Sequence, residues 1–129
     1  MPLTSLHALI YSDDAAATRA FLRDVLGWPY VDHPDSGPGW LIFKTGPSEL
    51  GVHPTSGTHE GQSYSYPRHQ TISLMCDDIE ATVAELTAKG VVFNGPVMDL
   101  GFGRGVSFEV PGADELFLYE PRHQTAYDL

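Results

Sequence analysis

A small set of polar side chains has the residue types and spacing that chemistry requires. Glu49 and His53, in the segment ELGVHP, fall on one face of a strand because successive strand side chains point to opposite sides. His7 and His69 each precede an apolar, strand-like run. Carboxylate and imidazole groups bind divalent cations and act as general bases. If Glu49 is buried, its charge needs water, His7, a ligand or a cation as a partner.

Aromatic side chains form a second candidate group. Trp40, Phe117 and Tyr119 fall on predicted strands, and Tyr64 and Tyr66 fall in a polar segment. Strand alternation predicts Phe117 and Tyr119 on one face and Leu116, Leu118 and Glu120 on the other. Apolar pockets with a few polar groups bind flat organic ligands. If these strands line a cavity, Phe117 and Tyr119 would form its floor, with Trp40 beside it and the two other tyrosines as a lid. The remaining histidines, His33, His59 and His123, lie in polar, turn-like segments and are predicted to be solvated surface residues.

The elements that position these residues repeat along the chain. The stretch HALIYSDDAAATRAFLRDVLGW begins at His7, and TISLMCDDIEATVAELTAKGV begins at Thr71. A shift of 64 positions places Asp13 on Asp77 and Leu22 on Leu86. Each stretch has the pattern of a strand, capping acids, an amphipathic helix and a terminating glycine. About three strand-like segments follow each copy, so the sequence predicts a duplicated βαβββ unit.

We predict a single domain over residues 1–129, with a first module at 1–55, a linker at 56–68 and a second module at 69–129. The linker is polar and shows neither a helical nor a strand period, and such long loops tend to be functional or mobile. The glycine-rich segment GFGRG at 101–105 is predicted to be a hairpin turn. A phosphate-binding loop would need a helix after it, whereas the strand-like GVSFEV follows.

The composition narrows the class of partner. Seven basic and seventeen acidic side chains give a net charge of −10, which disfavours nucleic acid and anionic membranes and favours a small-molecule ligand. The single cysteine, Cys76, cannot form an internal disulfide and is predicted to be a buried structural thiol. No apolar run reaches the roughly 20 residues of a membrane span, and no signal peptide is evident. These features predict a cytoplasmic protein.

The repeated unit, with CDDIEATVAELTAKGV in its second copy and ELFLYEP near the end, strongly resembles the vicinal oxygen chelate superfamily. That superfamily includes glyoxalase I, fosfomycin-resistance enzymes, extradiol dioxygenases and bleomycin-resistance proteins. The resemblance covers nearly the whole chain. It implies an α+β fold in which the curved mixed sheets of two tandem βαβββ modules enclose a cavity, and it implies a homodimer.

The resemblance also implies four metal-ligand positions, as in the metal-dependent members. Here these positions hold His7, either Glu49 or His53, then Thr71, and finally Phe117 in place of a glutamate. A neutral hydroxyl is a poor ligand for a transition metal, and a phenylalanine ring cannot coordinate one. His69, two residues before Thr71, is the nearest replacement. We therefore expect no metal cofactor, and the alternative is a divalent ion held by His7, Glu49 and His69.

Two functions of different classes follow. The favoured one is metal-independent binding or sequestration of a hydrophobic, aromatic small molecule, similar to the bleomycin-resistance branch and compatible with antibiotic resistance. Its predicted ligand contacts are His7, Trp40, Glu49, His53, Tyr66, His69, Phe117 and Tyr119. The alternative is a divalent-metal-dependent lyase or dioxygenase of the glyoxalase type. A metal-free enzyme with Glu49 or His7 as general base is a third option.

Overall fold

The computed structural model describes residues 6–32 and 39–129. His33 therefore lies outside the described residues. The fold is α+β. Helix α1 spans Ala15–Ala20 and continues as a π-helical turn over Phe21–Val25, helix α2 spans Ile79–Ala88, and a short 3-10 helix covers Ala126–Asp128. The strands are β1 (Tyr30–Asp32), β2 (Leu41–Phe43), β3 (Ser56–His59), β4 (Gln62–Ser65), β5 (Ser73–Met75), β6 (Met98–Asp99), β7 (Gly103–Val110) and β8 (Ala113–Pro121).

Both helices begin and end where the sequence predicts. Asp14 and Asp78 are the N-cap residues, and each accepts a 3.1 Å hydrogen bond from the backbone N–H three residues later. Gly27 and Gly90, just beyond the two helices, have φ angles of 73° and 95°. That left-handed conformation costs glycine little and ends a helix readily.

The second half of the chain forms the predicted βαβββ unit. Strand β5 runs parallel to β8, and β8, β7 and β6 are antiparallel, giving a four-stranded sheet in the order β5-β8-β7-β6. In the first half, α1 is followed by a two-stranded antiparallel sheet of β1 and β2. The segments 6–12 and 49–53 are predicted strands, but no strand is formed there. A complete βαβββ unit is therefore seen only in the second half of the described chain.

One face of the four-stranded sheet carries the core. Side chains of β7 and β8 pack there against α2 and the π-helical turn, and Phe108 and Ile79 are fully buried. The buried apolar residues are Phe21, Leu22, Ile79, Leu86, Val91, Val106, Phe108, Val110, Leu116 and Leu118. Burial of one such large side chain stabilises the fold by about 1.5–3 kcal/mol.

The start of α1 is anchored to the β7–β8 turn. Thr18 is 4% exposed, and its hydroxyl donates a 2.5 Å hydrogen bond to the Pro111 carbonyl. The Asp13 N–H donates a 2.8 Å bond to the Gly112 carbonyl. These contacts join the first half of the chain to the second.

The predicted linker at 56–68, whose sequence shows no strand period, contains a β-hairpin. Strands β3 and β4 pair from Ser56 with Ser65 to His59 with Gln62. Glu60 and Gly61 form the turn with φ angles of 51° and 79°, the left-handed conformations of a tight two-residue hairpin turn. The strands are rich in Ser and Thr rather than alternating apolar residues, which is why the hydrophobic pattern does not reveal them. No helix among the described residues is both long and apolar enough to cross a membrane.

Candidate functional site

Phe117 and Tyr119 lie on the face of the sheet opposite the core. In the register of β7 and β8, Phe117 pairs with Ser107 and Tyr119 with Gly105. The two aromatic rings are stacked, with centroids 6.0 Å apart and planes 26° from parallel. Phe102 meets Tyr119 edge-on at 5.7 Å. We call Phe102, Phe117 and Tyr119 the aromatic floor.

Glycines in β7 make room for the floor. A side chain at Gly105 would overlap the ring of Phe117, and one at Gly103 would lie 3.1 Å from the Tyr119 ring. The predicted turn at GFGRG is present only at Gly101 and Phe102, because Gly103 already begins β7. Glycine is unusual inside a strand and often marks a close approach of other groups. That rule identifies Gly103 and Gly105, which sequence reasoning missed, as part of the site.

Glu49 provides the polar edge of the floor. Its side chain is 17% exposed. Oε1 accepts a 3.3 Å hydrogen bond from the Tyr119 hydroxyl and lies 3.4 Å from Nε2 of His123, while Oε2 accepts a 2.9 Å bond from the Ala126 N–H. Burial, and then the negative charge of Glu49, raise the pKa of Tyr119 above its ordinary value. The phenol therefore stays neutral and keeps its donor role.

His123 is exposed, as the sequence predicts, but it also contacts the site. It lies 3.4 Å from the Tyr119 hydroxyl as well as near Glu49, and its ring is 6.2 Å from that of Tyr119. The sequence did not predict these contacts, which arise because His123 follows β8 directly and the chain then turns back toward Glu49. His59 fits its prediction, since its side chain is 78% exposed.

Glu120 points away from the floor, as alternation predicts. It shares a face with the buried Leu116 and Leu118. Its Oε1 accepts a 3.1 Å hydrogen bond from the Ile79 N–H at the start of α2. Glu120 therefore caps a helix and cannot replace the missing glutamate at Phe117.

A second aromatic cluster lies on and beside the β3–β4 hairpin. The ring of His53 is 5.3 Å from Tyr64 and 6.5 Å from Tyr66, and the ring of Tyr66 is 6.2 Å from His69. Nδ1 of His53 is 2.7 Å from the Pro54 carbonyl, and Nδ1 of His69 is 2.7 Å from the Pro67 carbonyl. A carbonyl only accepts, so each Nδ1 carries a proton. We call these four rings the hairpin cluster.

Two predicted site residues lie apart from both clusters. Trp40 packs against Arg19 of α1, whose guanidinium carbon is 4.9 Å from the ring centroid. No aromatic pair among the described residues joins Trp40 to the floor. His7 is exposed and, within residues 6–32 and 39–129, makes no hydrogen bond or ion pair. A role of either residue in ligand binding stays a prediction.

The donor residues do not fit a metal ion. Glu49 contacts Tyr119, His123 and Ala126, whereas His69 belongs to the hairpin cluster. Over the part of the chain that the structure describes, no three His, Cys, Asp or Glu side chains converge as a ligand set would. A catalytic zinc site needs about three protein ligands at one point. The alternative set of His7, Glu49 and His69 is not brought together.

An open apolar groove of about 350 Å³ lies on the core side of the sheet, between the π-helical turn and the end of β7. Phe21, Val25, Val91, Val110 and Pro111 contribute to its lining. It contains none of the predicted ligand contacts. We therefore place the candidate site at the aromatic floor, where rings and a carboxylate meet.

The α+β fold is shared with solved structures of known proteins. The profile of the Glyoxalase/Bleomycin resistance protein/Dioxygenase superfamily matches residues 4–123. The chain belongs to this superfamily. The resemblance drawn from the sequence is thereby confirmed at the family level. A search of the curated proteins found no match.

Solved structures of the superfamily share the fold at low sequence identity. Lactoylglutathione lyase from Agrobacterium tumefaciens is 18% identical, with a TM-score of 0.61 over 93% of this chain and 96% of its own. TnmS3, an antibiotic binding protein from Streptomyces sp. CB03234, is 19% identical, with a TM-score of 0.59 over 94% and 98%. A superfamily member from Sphaerobacter thermophilus DSM 20745 is 22% identical, with a TM-score of 0.57 over 93% and 99%. One fold serves a lyase and a binding protein, so the function must be argued from the site.

Proposed function

We propose that the chain binds a flat, hydrophobic aromatic small molecule on the aromatic floor without a metal cofactor. The observation that carries the proposal is the pair of stacked rings at Phe117 and Tyr119 beside glycines that keep the sheet surface low. Aromatic rings favour offset or edge-to-face contact with another ring, by about 0.5–1.5 kcal/mol beyond area burial. In this arrangement Phe117 supplies apolar contact at a position where a metal site would need a carboxylate.

Polar groups at the edge of the floor would orient such a ligand. Glu49 is an acceptor held by Tyr119, and a ligand N–H or O–H can share it. His53, Tyr66 and His69 of the hairpin cluster would contribute a second set of rings. Tyr64 and Tyr66 would act as the lid. Sequestration of an aromatic drug by this surface would make the protein an antibiotic-resistance factor.

We also propose that the working unit is a homodimer. The accessible surface of the single chain is 9611 Å², whereas a compact monomer of 14.1 kDa exposes about 6,700 Å². Leu9, Tyr11, Leu50 and Val52 are exposed by 56%, 88%, 78% and 95%. They lie in the two predicted strand segments, which pair with no strand among the residues that the structure describes. A second copy would supply strand neighbours and cover these side chains.

The test is a binding titration combined with a metal assay. Wild-type protein is titrated into 1-aminoanthracene, a neutral polycyclic fluorophore, and compared with Phe117→Ala and the control Glu109→Ala, an exposed carboxylate on β7. Phe117→Ala is expected to weaken binding by about 1–3 kcal/mol, as for other buried aromatic anchors, and the control should match wild type. Metal content is measured on untagged protein after supplementation with Zn, Ni, Mn and Fe. One tightly bound metal per chain that is lost in His7→Ala would overturn the proposal in favour of the metal-dependent enzyme.

A further inference from the structure

The chain's own C-terminal segment covers Glu49. Arg122 directly precedes this segment, and there its N–H donates to the Phe102 carbonyl at 2.8 Å and its guanidinium bonds to Asp99 at 2.7 Å. The segment then turns back, so that the Ala126 N–H reaches Glu49, 77 positions earlier in the chain, at 2.9 Å. Residues 123–129 are thus fixed at their start by β8 and held further along by one carboxylate.

Glu49 has few other partners. A carboxylate that is largely withdrawn from water needs hydrogen-bond donors. Its described partners are Tyr119 on the floor, His123 and Ala126. Two of these three belong to residues 123–129, so this segment provides most of the described polar contacts of the Glu49 carboxylate. A ligand donor that approached Glu49 would compete with them.

The same segment stands at the Tyr119 end of the floor. The ring of His123 is 6.2 Å from that of Tyr119. Tyr127 lies near enough to Tyr119 to contribute to the rise of its pKa, after burial and Glu49. Access of a flat ligand to Tyr119 from this side therefore depends on where residues 123–129 lie.

We propose that residues 123–129 form a strap, latched to Glu49 through the Ala126 N–H, that closes the Tyr119 end of the aromatic floor and opens to admit the ligand. Access by an aromatic ligand rests on the proposed function, whereas the latch itself does not. The strap is held weakly. Its 3-10 helix buries no residue, and its internal backbone hydrogen bonds, from Asp128 N–H to Thr125 and from Leu129 N–H to Ala126, are both 3.2 Å. The other internal bonds join near neighbours, from the Thr125 hydroxyl to the Asp128 carboxylate and between the His123 ring and the Gln124 carbonyl, and none ties the strap to the sheet. Segments with few buried contacts open at low free-energy cost.

Ala126→Pro removes the latch donor without altering Glu49. Thr125 has φ −80° and ψ 130°, the extended conformation that a residue before proline adopts. Position 126 is the first residue of the 3-10 helix, where proline is well tolerated. Ala126→Ser keeps the N–H and serves as the matched control. Glu49→Ala removes the acceptor and provides a second, independent way to open the latch.

Hydrogen–deuterium exchange at residues 127–129 measures the opening. Loss of a hydrogen bond to a charged group is expected to speed exchange there by roughly tenfold or more in Ala126→Pro and Glu49→Ala, and to leave Ala126→Ser at the wild-type rate. The association rate constant of 1-aminoanthracene should rise in Ala126→Pro by a similar factor, because the open population limits both processes.

The outcomes separate the two proposals. Exchange that is equally fast in wild type and both latch variants overturns the latch. Faster exchange with an unchanged association rate of the probe overturns the gating role of the strap. If no variant binds 1-aminoanthracene or another polycyclic aromatic compound while exchange still accelerates, the proposed function fails and the latch is supported.

Discussion

The hydroxyl of Tyr119 donates a hydrogen bond to Glu49 across 3.3 Å and joins residues 70 positions apart. Tyr119 belongs to the last strand of the four-stranded sheet, and Glu49 belongs to the first half of the chain. The bond places a carboxylate at the edge of an aromatic surface. It also gives Tyr119 an environment that differs from that of the exposed tyrosines.

Tyr119 should ionise at a higher pH than the ordinary tyrosine value. Its pKa is raised first by burial and then by Glu49, because both disfavour the phenolate. An ultraviolet absorbance titration should show a late step that Tyr119→Phe removes. Tyr11→Phe, at a residue 88% exposed, is the matched control and should leave the late step in place. In Glu49→Gln, the late step should move to lower pH but stay above the ordinary tyrosine step, since burial raises the pKa of Tyr119 more than Glu49 does.

The raised pKa of Tyr119 also makes the stability of the fold depend on pH. A raised folded-state pKa means that the contribution of neutral Tyr119 is fully present below the ordinary tyrosine pKa of about 10, and is lost as pH rises through the folded-state value. Between neutral and strongly alkaline pH, the free energy of unfolding of Tyr119→Phe should therefore fall by less than that of wild type. Urea denaturation at each pH measures this difference. Equal losses in the two proteins would contradict the assignment of the late step to Tyr119.

The helices and the register of the last strand could be predicted from sequence because they depend on local rules. Asp14 and Asp78 cap helices through bonds to the next turn, and alternation alone places Phe117 and Glu120 on opposite faces. The predicted strand at 49–53 depends instead on pairing with another segment. Local sequence does not specify that partner, and no strand forms there.

Glu120 should affect stability and not binding. Its carboxylate accepts a hydrogen bond from the Ile79 N–H, so Glu120→Ala removes one acceptor from the N-terminus of α2, while Asp78 remains the N-cap residue. We expect a loss of about 0.5–2 kcal/mol in the free energy of unfolding, measured by urea denaturation. The affinity for 1-aminoanthracene should stay at the wild-type value, in contrast to Phe117→Ala. Weaker probe binding in Glu120→Ala, at a temperature where the variant is folded, would mean that the carboxylate reaches the floor.

Exposed apolar residues in the unpaired segment 49–53 should control assembly. Wild type is expected to be a dimer by light scattering at about tens of micromolar, because an interface of standard size needs roughly 800 Å² from each chain and the excess surface is larger. Leu50→Glu with Val52→Glu should give a monomer, since two charges would be buried in the interface. Ala84→Glu, on the exposed face of α2, is the control and should remain dimeric. A monomeric wild type would refute the homodimer.

Only part of the aromatic floor could be predicted from the sequence. Alternation indicates that Phe117 and Tyr119 share a face, but not that glycines of the neighbouring strand lie beside them, because that depends on the pairing of β7 with β8. His123 and Ala126 were missed for a related reason. Their contacts with Glu49 span most of the chain, and no local pattern specifies such contacts.

Gly105 should prove essential to the shape of the floor. A Cβ at this position would overlap the ring of Phe117 and lie 3.0 Å from the Leu118 carbonyl oxygen. Gly105→Ala should therefore displace the ring, destabilise the fold by about 1–3 kcal/mol and weaken binding of 1-aminoanthracene roughly tenfold. Gly101→Ala is the control for backbone strain. Its φ is 83° and nothing lies within 4 Å of the added Cβ, so it should lose stability while keeping the wild-type probe affinity.

A double-mutant cycle identifies the clash partner. With Phe117→Ala already present, Gly105→Ala no longer meets a ring, so its cost in unfolding free energy should fall well below its cost in wild type. The coupling energy from urea denaturation of the four proteins measures this difference. If Gly105→Ala costs the same in both backgrounds, the ring of Phe117 does not lie over Gly105, and the flat aromatic surface on which the proposed function rests would have to be abandoned.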